Sequence, residues 1–400
     1  MKKNLFLISL ISFSFMALSV LAQETEEKKE VYQFTMEKQV PVTSVKDQYR
    51  AGTCWSYSGL GFVEAELLRL DKGNFDLSDL FIVRKVYEHK AEKYVRMHGE
   101  TNFSGGGAFH DVFWVIDNFG IVPEVNYLGL EYGEDNHVHG ELDAVLKAYV
   151  DAVIKNPNKK LSTAWFKGYK GILDAYLGEV PEKFNIEGKE YTPMSFAKQL
   201  NFNSDNYINL SSYTHHPFYK SFILEIPDNW LWGKSYNLPI DELMEVLDNA
   251  IDNGYCAAWG SDVSEKGFKW TKGVAIVPAE ARPDLDGLER AKWEELSKKE
   301  KDDLLYKFEK PVSEKEITQE MRQIAFDNYQ TTDDHGMLIA GRAKDQNGIK
   351  YYYVKNSWNT NNIYDGYFYA SESFVKYKTM NIVVHKDAIP KNIAKKLNLK

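Results

Sequence analysis

Gln48-Tyr49-Arg50-Ala51-Gly52-Thr53-Cys54-Trp55-Ser56 is the stretch whose reading decides the fold. It places a thiol directly before a helical pattern. Leu60, Val63, Leu67 and Leu70 recur at spacings of three, four and three, which puts them on one helix face, and Gly73-Asn74 marks the stop. Cys54 therefore belongs to the first turn of a helix, where unpaired N–H groups and the positive end of the helix dipole favour a thiolate. An ordinary thiol titrates near ~8.5, so only a few per cent is nucleophilic at neutral pH, and a neighbouring imidazolium would lower that value further. His335 can supply the imidazole. Asn356 follows at a distance that allows a strand, a turn and a return strand, and its side-chain carbonyl can hold the second ring nitrogen. Gln48 can aim its amide at a developing oxyanion beside the Cys54 backbone N–H. Trp358 can cover the His335–Asn356 hydrogen bond.

The rest of the chain bounds this reading. Its 400 residues suffice for two or three domain-sized cores, and 44% hydrophobic with 27% charged residues is the composition of a folded protein. A net charge of −9 with no basic block argues against nucleic-acid binding. Lys2 and Lys3 precede an apolar run from Leu5 to Leu21, and Val20-Leu21-Ala22 is followed at once by polar Gln23-Glu24-Thr25. This layout predicts a signal peptide over residues 1–22 and a mature protein exported to the periplasm or secreted, without a stable membrane anchor. Of the two cysteines, Cys256 lies in Tyr255-Cys256-Ala257-Ala258-Trp259, which reads as a buried strand; a Cys54–Cys256 disulfide is the alternative for an exported chain.

Three segments follow the signal: a leader over 23–40, a mainly helical part over 41–220 carrying the nucleophile, and a β-rich part over 221–400 carrying His335 and Asn356, itself interrupted by a charged helical insertion over 283–328. Strand patterns recur at 222–226, 256–259, 336–340, 351–355, 366–370 and 382–384, and Asp345-Gln346-Asn347-Gly348 reads as a hairpin turn. A cleft between the two halves is the natural substrate site. His215-His216 and the His137/His139 pair lack accompanying carboxylate or thiol ligands at metal-binding spacing, and no phosphate loop is present, so neither metal nor cofactor is expected. Asp333-Asp334 reads as a solvated loop charge pair.

Taken in order, these pieces resemble the bleomycin hydrolase/aminopeptidase C family of papain-fold cysteine peptidases, the C1B type. The matching residues are Gln48 to Trp55, the Ser104-Gly105-Gly106-Gly107 loop, Phe119-Gly120-Ile121-Val122-Pro123, and Gly254 to Gly267 around Trp259-Gly260-Ser261-Asp262-Val263. Asp334-His335-Gly336-Met337, Lys355-Asn356-Ser357-Trp358 and Gly366-Tyr367-Phe368 complete the set. The wide interval from Cys54 to His335, far beyond the roughly 130–150 residues of compact papain-type enzymes, points to this branch and its insertions. The resemblance implies an α+β papain-like two-domain fold with a helical domain, an antiparallel β-barrel-like domain and large helical insertions. It implies an aminopeptidase acting on peptides, with Cys54 as nucleophile, His335 as acid/base, Asn356 as orienting residue and Gln48 as oxyanion donor. Gly106 and Gly107, with Gly105 as the alternative in register, match the loop that pairs with substrate backbone, and Trp358 completes the substrate-binding set. It further implies a homo-hexamer with internal active sites. The chain departs from the family at Asn359, where Gly is usual, in its export signal, and at the C-terminus, which reads as short where relatives send an arm into the cleft to enforce exopeptidase action. A broad endopeptidase and a non-catalytic papain-fold binding protein are the alternatives.

Overall fold

The computed structural model describes residues 32–282 and 285–399; the predicted signal peptide lies outside them. The first helix, α1 (Cys54–Arg69), is the central one: Trp55 to Leu67 are buried on every side, not on one face only, and Leu70 is the exposed residue just past its end. Its buried carboxylates are each answered. Glu64 accepts from Thr43 Oγ1 (2.7 Å) and the Leu77 backbone N–H (2.8 Å) and pairs with Lys46 (3.2 Å), while Glu66 pairs with Arg69 at 2.7 Å. A buried charge left without such partners would cost several kcal/mol. Around α1 lie α2 (Asp79–Arg96), started by Ser78 accepting from the Phe81 N–H, then α3 (Phe109–Phe119), α4 (Gly140–Ile154), α5 (Trp165–Leu177) and α6 (Pro193–Leu200).

Thirteen strands complete the described fold: β1 (Phe34–Gln39), β2 (Phe184–Ile186), β3 (Lys189–Tyr191), β4 (Tyr207–Ser211), β5 (Ser221–Ile223), β6 (Lys234–Asn237), β7 (Ala257–Ser261), β8 (Phe268–Lys269), β9 (Val274–Ala275), β10 (His335–Asp345), β11 (Lys350–Lys355), β12 (Tyr367–Ser371) and β13 (Thr379–His385). β2 and β3 form a small hairpin. The other eleven form one sheet in the order β5-β6-β4-β13-β7-β10-β11-β12-β9-β8, with β1 added along the far end of β10. The described part of the leader thus supplies a sheet strand, Phe34–Gln39, and β4 joins the sheet from within the span read as mainly helical. The β10–β11 turn is the one expected: Gly348 takes φ 82° and its N–H donates to the Asp345 carbonyl at 3.0 Å.

β10 is the strand that matters for function. It pairs with β7 on one side, His335 opposite Ser261, and with β11 on the other, Leu338 opposite Lys355. α1 packs directly on it. Gly336 permits that closeness: a Cβ there would come within 2.6 Å of Ser58 Oγ and 3.2 Å of the Phe109 ring. The chemical consequence is that the first residue of α1 and the first residue of β10 line the same cleft.

The insertion forms α8 (Gly287–Glu295), α9 (Lys298–Leu305) and α10 (Gln319–Asp327), after α7 (Ile240–Asp252). Glu294, Glu295, Lys298 and Lys299 face solvent, while Trp293 is buried and donates to the Glu280 carbonyl. After α11 (Glu372–Lys378) and β13 the chain ends its described course in α12 (Lys391–Lys396), docked on α7 through Lys396–Glu242 (2.6 Å) and Asn249 Nδ2 to the Ala388 carbonyl (2.7 Å). No helix among the described residues is long and apolar enough to cross a membrane.

Candidate active site

Cys54 opens α1 and keeps part of its surface accessible, whereas Cys256 is buried; both are free thiols, so the disulfide alternative is not realised. The backbone N–H groups of Gly336 and Trp55 face the Cys54 sulfur. Behind it, the Trp55 indole donates to the Gly105 carbonyl at 3.0 Å and ties the Gly loop to the helix start. Gly107 needs its missing side chain here, since a Cβ would lie 2.7 Å from the Trp55 ring.

His335 is buried at the start of β10, and its Nε2 lies 2.7 Å from Asn356 Oδ1. The Ser357 backbone N–H donates to the same Oδ1 at 2.8 Å, which identifies that atom as the amide oxygen. Nε2 therefore carries the proton, and Nδ1 is left for the thiol side. Trp358 stacks on the imidazole (centroids 4.5 Å, 30° between planes), with Phe268 and Trp270 edge-on behind it. Trp358 thus covers His335; it is not among the residues lining the cleft. Gln48 donates from Nε2 to the Ala51 carbonyl (2.8 Å) and accepts from Ser357 Oγ on Oε1 (2.6 Å), and its backbone N–H donates to the Ser357 carbonyl (2.9 Å). One of its two amide hydrogens is so engaged, which leaves the other for a ligand. Asn359 occupies a left-handed position, φ 52°, and donates to Asp47; asparagine tolerates the conformation that glycine would otherwise supply there.

Burial pushes the Cys54 thiol up to about 12, helped by the negative charges of Asp333 and Asp228, and pushes His335 down to about 4 against the Asn356 hydrogen bond. Both directions describe charging one partner alone. Moving the proton from sulfur to imidazole creates both charges together, so their mutual attraction offsets part of the cost of burying them. The Gly336 and Trp55 N–H groups and the α1 dipole favour the resulting thiolate, and Asn356 favours the imidazolium.

The cleft beside Cys54 spans about 510 Å³, open solvent at its mouth included. Gly107, Asn209, Leu224, Ile226, Asp228 and Asn381 line it together with Cys54, His335 and Gly336. Asp333 and Asp334 are also part of its wall, and no Lys or Arg is, among the described residues. Asp333 is therefore not the solvated loop charge expected: it is half-buried, and burial together with Asp228 and Asp334 pushes its carboxyl up to about 8. Asp334 is exposed and caps the Val263 and Ser264 N–H groups.

Two further residues escape the sequence. Ser357 fixes Gln48, and its place inside Asn356-Ser357-Trp358 was the available signal. Asp228 enters the cleft from a loop with no recognisable pattern. Elsewhere, the fold gives His215 and His216 a carboxylate that sequence spacing did not reveal: Glu225 contacts both rings, at 3.1 and 2.7 Å. Residues 386–399 dock away from the cleft, and none of them lines it.

Residues 293–400 match the sequence model of the Peptidase C1-like family. Aminopeptidase C of Lactobacillus delbrueckii subsp. lactis is 21% identical, covering 94% of this chain and 86% of that protein. Aminopeptidase C of Listeria monocytogenes is 22% identical, covering 94% and 88%. Among solved structures, PepW from Lactobacillus rhamnosis HN001 superposes with a TM-score of 0.67 over 98% of this chain and 92% of that one, at 18% identity.

Proposed function

We propose that this chain, a papain-fold cysteine peptidase of the aminopeptidase C type, removes residues from the N-termini of peptides by way of a thioester on Cys54. The observation that carries the reading is that Cys54, at the first turn of α1, lines one cleft with a His335 whose Nε2–H is fixed by Asn356. His335 takes the thiol proton as sulfur attacks the scissile carbonyl, then returns it to the leaving amine as the C–N bond breaks. A water, deprotonated by the same imidazole, cleaves the thioester and restores the thiol. The uncommitted Gln48 N–H and the Cys54 backbone N–H would receive the oxyanion, a contribution of about 3 kcal/mol for one such donor. Gly107, which lines the cleft, presents backbone to the substrate with no side chain to hold it off, while Gly106 beside it faces the Asp228 carboxylate. Trp358 keeps water from the imidazole–amide hydrogen bond.

Replacing Cys54 by Ala tests the mechanism. Peptide hydrolysis should fall by about 10⁴-fold or more, with an unchanged circular dichroism spectrum and melting temperature. Retained hydrolysis would rule out the thioester, and an inactive wild-type protein would leave the non-catalytic reading standing. We also propose export, on the Lys2-Lys3 and Leu5–Leu21 pattern. A mature N-terminus near Gln23 in the exported fraction checks it, and an intact Met1 would refute it.

A further inference from the structure

The loop from Leu224 to Gly233, between β5 and β6, is built as a rigid presenter of one side chain. Asn229 clamps it from inside: its Nδ2 donates to the Leu224 and Gly233 carbonyls, each at 3.0 Å, and its Oδ1 accepts from the Gly233 N–H at 2.8 Å. Trp230 pins it from behind, donating to the buried Asp111 carboxylate at 2.7 Å. The residue so presented is Asp228, which lines the same cavity as Cys54. Its carboxylate sits against the Gly loop so closely that a Cβ on Gly106 would fall inside it. Oδ1 accepts from Asn102 Nδ2 (3.1 Å) and Ser104 Oγ (3.4 Å); Oδ2 has no partner among the described residues. No cationic side chain pairs with it there. Lys90 is near, but its ammonium is committed to the Ser104 and Gly106 carbonyls.

A partly buried carboxylate with neutral donors on one oxygen, in a cleft wall without Lys or Arg, calls for a cation from outside. It also shares the cleft with Cys54 and Gly107, and it lies against Gly106, the residue next to Gly107. We propose that Asp228 binds the protonated α-amino group of the substrate and closes the cleft behind the first residue, so that an internal loop sets the exopeptidase register. This inference rests on the aminopeptidase reading above. An ammonium on Asp228 would also remove one of the charges that hold the Cys54 proton in place, so that recognition assists attack.

The test is Asp228→Asn in the full chain. The amide keeps an oxygen for Asn102 and Ser104 and loses only the charge. With an aminoacyl-amide substrate and its N-acetyl derivative, wild-type enzyme should cleave the free amine and spare the acetylated form. In the variant, kcat/KM for the free amine should fall about 10- to 100-fold, chiefly through KM, as expected for a lost charge-assisted hydrogen bond. Discrimination against the acetylated substrate should shrink with it. If wild-type selectivity is present and D228N keeps it, Asp228 is a loop post and the inference fails alone. If wild-type enzyme cleaves both substrates equally, the aminopeptidase reading fails and takes this one with it. Should D228N unfold, Asp228→Glu decides: selectivity for the free amine persists if the charge is what counts, and its loss in a folded D228E refutes the proposal.

Discussion

Two walls face each other across the cleft and are built on different terms. The wall of α1, β10 and β11 carries Cys54 and His335 on regular elements and Asn356 directly after β11, and its geometry is fixed by backbone register and by Gly336, which lets helix meet strand. The second wall, Leu224 to Gly233, has no regular structure and is fixed by Asn229 bonding across its own turn and by Trp230 bonding to Asp111. The first wall can hold reacting atoms in place because displacing them would break a sheet; the second can change its presented side chain without disturbing the fold. The proposed mechanism puts the chemistry on the first wall, and the role proposed for Asp228 puts the choice of substrate on the second.

This contrast can be broken from either side. The largest effect belongs to Gln48, which joins the two halves of the catalytic wall. Gln48→Ala should lower kcat about 10²- to 10³-fold with KM nearly unchanged, as for loss of a donor that acts on the transition state. A change in KM alone would move Gln48 to the substrate-binding wall. A smaller effect is expected at Asn229. Asn229→Ala removes the clamp of the second wall, so KM for free-amino substrates should rise several-fold to about tenfold while kcat stays within about twofold; the lost hydrogen bonds should lower the melting temperature by a few degrees. A large fall in kcat there would show that the loop positions reacting atoms after all.

The same contrast explains what the sequence disclosed. The catalytic wall was legible because its demands are local and chemical: a thiol at a helix start, Asn356 a strand-and-turn after His335, a hairpin turn at Asp345–Gly348. Elements with strong periodicity, α1 and β10 among them, fell where pattern placed them, although α1 proved buried on all sides because Glu64 and Glu66 find partners from segments distant in sequence. Asp228 was illegible because its meaning comes from Asn102, Ser104 and Gly106, all more than a hundred residues away and brought close only by the fold. Asp333 misled for the same reason: an acidic pair in a loop reads as solvated, and only the packed cleft makes one of the two half-buried. Glu225, which joins the two adjacent histidines, is near them in sequence but comes back to them only through the turn that leads into β5.

The account is tested most directly by the products released from a mixed peptide set offered free and N-acetylated, followed by mass spectrometry. It predicts stepwise loss of single residues from the free N-termini and no cleavage of the acetylated peptides. Internal cleavage of the acetylated set at a comparable rate would contradict it.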